Sequence, residues 1–119
     1  METINHECYV SLEVAKLLKK AGFDWECRCY YPGNFLKSQY EGYPKPTLDI
    51  AQKWLREVKR IHVEVLYLFE PCNHYFTRAC YLDANTPLYI TNSTNSTIYE
   101  EAHEAGIKQA LEIILKKGE

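Results

Sequence analysis

Aromatic and cationic side chains crowd into one stretch of this sequence. Between Tyr31 and Tyr43 stand Tyr31, Phe35, Tyr40 and Tyr43 together with Lys37, Ser38 and Gln39. Ring faces of this kind stack on a planar ligand while the polar residues bond its edge, so the stretch can act as a lid. A small domain can equally fold such a loop over its own core. A second set, Lys53, Arg56 and Arg60, recurs at helical spacing with Lys59 nearby. Arg56 and Arg60 suit a phosphate best, because a guanidinium grips it with two prongs. Cations late in a helix also simply complement its dipole. Arg28 and Arg78 fall inside expected strands, where each charge needs a partner or water. Pointing from one sheet face with Tyr30 between them, they would frame an anion site; a cross-strand ion pair with Glu26 or Glu64 is the competing reading.

The thiols and imidazoles form a weaker set. Cys27-x-Cys29, Cys72-x-His74 and Cys80 are soft ligand types, but the tight Cys-x2-Cys knuckle of structural zinc sites is missing. Neither a metal nor a cofactor is expected. Cys72 or Cys80 with His74 or His62 and Glu64 could assemble a thiolate nucleophile, yet no nucleophile turn or oxyanion loop is visible. Buried thiols acting as small hydrophobes explain the same residues. His103 reads as a surface residue of the last helix and His6 as part of a frayed terminus.

These residues must be positioned by seven elements. Ser11 can cap a helix running to about Ala21, with Val14, Leu17, Leu18 and Ala21 on one face and Gly22 at its stop. Trp25 to Tyr31 alternates Trp25, Cys27, Cys29 and Tyr31 with Glu26, Arg28 and Tyr30 and reads as a strand. Residues 32–46, with Pro32, Gly33, Gly42, Pro44 and Pro46, read as one unusually long connection. Thr47 can cap a helix from Leu48 to about Arg60 with Leu48, Ala51, Leu55 and Val58 at helical spacing. Ile61 to Phe69 is a strand, Glu70-Pro71-Cys72-Asn73 a turn, and His74 to Leu82 the return strand. Asp83 to Pro87 reads as a turn and Leu88 to Thr91 as a third consecutive strand, with the sequons at Asn92 and Asn95 as a polar turn. Thr97 and Glu100 have capping-box spacing before a last helix that reaches about Lys117.

The order α-β-α-β-β-β-α predicts a single α+β domain over 1–119: a four-stranded, mainly antiparallel sheet with three helices mostly on one face. Three helices leave the second face greasy, which predicts a homo-oligomer, most simply a dimer. The chain has 119 residues, 46% of them hydrophobic, with 14 Lys plus Arg against 16 Asp plus Glu. A formal charge of -2 excludes a dedicated duplex-DNA binder. The acidic start, Met1 to Glu7, lacks the basic-then-apolar pattern of a secretory signal, and no apolar run spans a bilayer. With an odd number of cysteines, five, these features point to reduced thiols in a cytosol and no membrane partner.

Three segments carry a resemblance: Tyr9 to Leu18 (YVSLEVAKLL), Pro46 to Val58 (PTLDIAQKWLREV) and Tyr99-Glu100-Glu101-Ala102 with the helix after it. They resemble small proteins encoded by phages and mobile elements of gut Bacteroidetes. The resemblance implies a bacterial host cytosol and a binding role, because small phage accessory proteins often act by capturing molecules, including host nucleotide signals. It implies no catalytic residues. The expectation is a non-catalytic protein that holds a small anionic, nucleotide-like ligand through Arg28, Tyr30, Tyr31, Tyr40, Tyr43, Arg56, Arg60 and Arg78. A protein-interaction module and a Cys/His-dependent enzyme are the alternatives.

Overall fold

Two side-chain caps set the helical half of the fold. Val14 N–H donates to Ser11 Oγ at 3.3 Å and Ile50 N–H to Thr47 Oγ1 at 3.2 Å, each filling an amide that the first helical turn leaves unpaired. In the computed structural model these caps open α1 (Leu12–Ala21) and α2 (Leu48–Glu57). The structure describes residues 8–27, 29–31, 42–82 and 89–117, with 89–96 and 117 described as backbone. Gly22 stops α1 at φ 96, a left-handed conformation in which its N–H still reaches the carbonyls of Leu18 and Lys19. α2 ends at Glu57, three residues short of the expected Arg60, and Arg60 at φ 59 turns the chain into the sheet.

The described order is α1, β1 (Tyr30–Tyr31), β2 (Tyr43–Pro44), α2, β3 (Ile61–Leu68), β4 (His74–Tyr81), β5 (Tyr89–Ser96) and α3 (Tyr99–Lys117). The class is α+β, but the four-stranded sheet is a misreading. β3, β4 and β5 form a three-stranded antiparallel meander, whereas β1 pairs only with β2 in a separate two-stranded ribbon. The expected strand Trp25–Tyr31 shrinks to its last two residues. An antiparallel partner exists nearer, at Tyr43–Pro44, inside what reads as a featureless connection, and closing the shorter loop costs less chain entropy. Lys45 N–H then donates to Cys29 O at 3.1 Å and extends that local ribbon.

A second correction concerns the sequons. Asn92 to Ser96 continue β5 instead of forming a turn. Asn and Ser are poor strand formers, but β5 is an edge strand whose pairing with β4 outweighs that weak preference. The turn at Asp83 to Pro87 and the strand start at Leu88 lie outside the described residues, as do Arg28, Phe35, Lys37, Ser38, Gln39 and Tyr40.

The core forms where the helices meet one sheet face. Ile61 and Val63 of β3 and Thr77 and Ala79 of β4 are buried against Ala102, Ile107, Ala110 and Leu111 of α3 and Trp54 and Leu55 of α2. Gly106 permits this approach: a Cβ there would lie 2.8 Å from Thr77 side-chain atoms. Burial fades along β3, from Ile61 at 1% exposed to Leu68 at 38%, so the β3–β4 turn projects beyond the helices. The opposite face carries Glu64 opposite Arg78 and Leu66 opposite Phe76.

Candidate functional site

Among the described residues, lysines rest on the rings of Tyr9, Tyr31 and Tyr43, where arginines were expected. Lys16 and Lys19, three residues apart on α1, are both exposed and share one helix face. Their Nζ atoms sit 5.7 and 5.2 Å from the centre of the Tyr43 ring. Lys19 also donates to Gly42 O at 3.0 Å. Lys45, just after β2, lies 4.8 Å from the Tyr31 ring centre and 5.4 Å from that of Tyr9. Each lysine is attracted to the negative face of a ring while its ammonium keeps donor capacity.

The rings are held from behind. Tyr31 Oη donates to Val10 O at 2.7 Å, which ties β1 to the segment preceding α1. Burial, with the Glu104 charge adding to it, pushes the Tyr31 hydroxyl above the usual tyrosine range, so it stays protonated and a donor. Beside this cluster lies a cavity of about 210 Å³ lined by Lys19, Phe23, Asp24, Trp25, Tyr30, Gly42 and Pro44. Its floor is braced by Phe23, whose ring centre is 6.3 Å from Trp25 and 5.3 Å from Trp54. Tyr30, 41% exposed, stands at its wall.

The other expected site residues that the structure describes are dispersed. Arg78 and Tyr30 belong to different sheets, so they cannot flank one sheet face. Arg78 instead forms the cross-strand pair with Glu64, Nε and Nη2 donating to one carboxylate oxygen at 3.0 and 2.8 Å. Arg56 lies half-buried in the last turn of α2 and Arg60 is exposed at the α2–β3 corner. Among the described residues no group of three or more His, Cys, Asp or Glu is placed to hold a metal ion. The described cysteines are free thiols: Cys72 is exposed, and Cys80 stands opposite His62 in the β3–β4 register. Burial pushes the Cys27 thiol up, away from the reactive thiolate, and the neighbouring Cys29 adds to the shift against a backbone bond from Lys45.

His103 corrects the expectation most sharply. It is 2% exposed and its Nε2 lies 2.9 Å from Gln52 Oε1. The other end of that amide, Gln52 Nε2, donates to Val63 O. An amide whose nitrogen already donates must accept with its oxygen, so His103 carries its proton on Nε2. Burial lowers the His103 pKa below its ordinary value against the opposing pull of Asp49, Glu100 and Glu104, and the ring is neutral. It borders a cavity of about 300 Å³ between the starts of α2 and α3, with Cys8, Leu48, Asp49, Tyr99 and Glu100 among its walls. One signal was available: His103, Ile107 and Leu111 recur every four residues, which places His103 on the buried stripe.

No family model, no curated protein and no solved structure matches this chain. No helix among the described residues is long and apolar enough to cross a membrane.

Proposed function

We propose that this protein is a non-catalytic binding protein of phage or mobile-element type that holds a small planar anion, nucleotide-like in chemistry, at the β1–β2 ribbon. One observation carries the reading: three lysines, Lys16, Lys19 and Lys45, converge on the faces of Tyr9, Tyr31 and Tyr43 beside a cavity walled by Trp25 and Tyr30. Trp25 and Tyr30 offer stacking area to a base, and the lysine ammoniums offer charge-assisted donors to a phosphate. The positive groups come from α1 and from Lys45 just after β2; α1 is fixed by its caps, and β1, the partner of β2, by the Tyr31–Val10 bond, so little ordering is required on binding.

Calorimetry against a panel of linear and cyclic nucleotides tests this. Binding to at least one member is expected, with Lys19→Ala and Tyr30→Ala each weakening it by roughly 3- to 30-fold. Silence across the panel with folded protein removes the reading. A protein-interaction role has its own support in the projecting β3–β4 turn, where Tyr67, Leu68 and Phe69 are all exposed, Phe69 at 77%.

A further inference from the structure

The backbone of β3 has two alternating sides. Leu82 N–H donates to Arg60 O at 2.8 Å, so positions 60 and 82 form a hydrogen-bonded antiparallel pair. The β3–β4 register is regular from Ile61↔Tyr81 to Leu68↔His74, so the even-numbered β3 residues continue to bond β4. The odd-numbered residues, Ile61, Val63, Val65 and Tyr67, turn both N–H and C=O toward the outer edge. The Gln52 bond to Val63 O agrees with this, because it arrives from α2 and not from β4. No bond from another described residue reaches the outward groups of Val65 and Tyr67.

Exposed edges of this kind are normally blunted by Lys, Pro, bulges or short length. β5, the other edge, is polar in sequence, and its pairing with β4 is irregular between Tyr75 and Thr77. β3 has neither protection: Ile-His-Val-Glu-Val-Leu-Tyr-Leu runs unbroken for eight residues and leads into exposed Phe69.

We propose that a second copy of this chain pairs antiparallel with the outer edge of β3, Val65 of each copy facing Tyr67 of the other across a two-fold axis at Leu66. A two-fold axis normal to a sheet generates antiparallel pairing of an edge with itself, so the contact closes as a dimer. The available groups select the register. Facing Val65 with Tyr67 engages all four outward groups of each copy and needs no other. One step toward the strand start would call on Val63 O, already held by Gln52. One step toward the strand end would call on Phe69 O, which accepts from Cys72 N–H and Asn73 N–H in the turn, and would set Glu64 against Glu70 of the other copy. The chosen register instead sets Glu64 beside the other copy's Leu68 and directs His62 toward its Glu70. The paired strands would make one six-stranded sheet with Leu66 meeting Leu66 at the axis, and this surface is separate from the lysine–tyrosine cluster.

Light scattering and sedimentation of the full chain, together with two variants, test the proposal. Wild type is expected to show a doubled mass that dissociates on dilution. Val65→Pro removes an outward N–H from each copy without touching the β4 ladder, and should weaken association roughly tenfold or more with unchanged circular dichroism. Leu66→Cys, in a Cys72→Ser Cys80→Ser background, should form an intermolecular disulfide on mild oxidation, because the axial pair is a non-hydrogen-bonded one with Cα atoms about 4.5 Å apart. A wild-type monomer at every concentration overturns the proposal. So does a dimer that folded Val65→Pro leaves intact, or one that Leu66→Cys fails to cross-link.

Discussion

The β1–β2 ribbon and the α2–α3–β3 junction solve the same problem, polar groups beside aromatic rings, in opposite ways. At the ribbon, Lys16 and Lys19 are exposed and rest on the half-buried ring of Tyr43. At the junction, His103, Gln52 and the Val63 carbonyl form a closed chain in which each member satisfies the next, and the imidazole is neutral. Exposed cations on ring faces can turn donors toward a ligand at little cost to stability. Buried polar groups must be fully paired, and their removal is costly. The contrast separates the ribbon, where ligand binding is proposed, from the junction, where pairing serves stability.

The strongest way to break that contrast is Gln52→Leu. It strands the His103 N–H and the Val63 carbonyl together, so chemical denaturation should show a loss of about 2–4 kcal/mol while nucleotide binding by the folded protein is unchanged. Gly106→Ala comes next. Its Cβ would meet buried Thr77 at 2.8 Å, and the expected loss of about 1–3 kcal/mol exceeds the helix-propensity gain. Thr77→Ala in the same chain should recover part of it.

The pH dependence sharpens the comparison from the junction side. Because the folded protein holds His103 below its unfolded value of 6.5, the unfolded chain binds the proton more readily. The stabilisation is therefore complete above that value and declines as pH falls below it. Thermal melts across this window should show the slope, and His103→Gln should flatten it. The smallest effect belongs to the ribbon: Lys45→Ala removes a cation from two ring faces and should cost about 0.5–1 kcal/mol in stability, with a larger proportional loss in ligand affinity.

Much of this was legible from local chemistry. Ser11, Thr47 and Gly22 mark their helix ends because a cap needs only its own turn, and the β3–β4 hairpin shows in alternation around Glu70–Asn73. The Glu64–Arg78 pair was one of two readings the sequence offered, and register chose it. The ribbon was not legible, since a two-residue strand has too little pattern to see and Pro44 argues against one. Gln52 carried no signal, being an ordinary polar residue in an amphipathic helix until β3 brings a carbonyl to it.

The sequence by itself determined the α+β class, the starts of the first two helices and the end of the first, and the tyrosine-rich composition around the ribbon, because caps, periodicity and composition act over one or two turns of chain. Only the tertiary structure decided which cations meet those tyrosines, that β1 leaves the sheet, that His103 is buried and neutral, and which backbone groups of β3 face outward. Those outcomes depend on what lies opposite each residue, and a linear pattern holds no record of its partner.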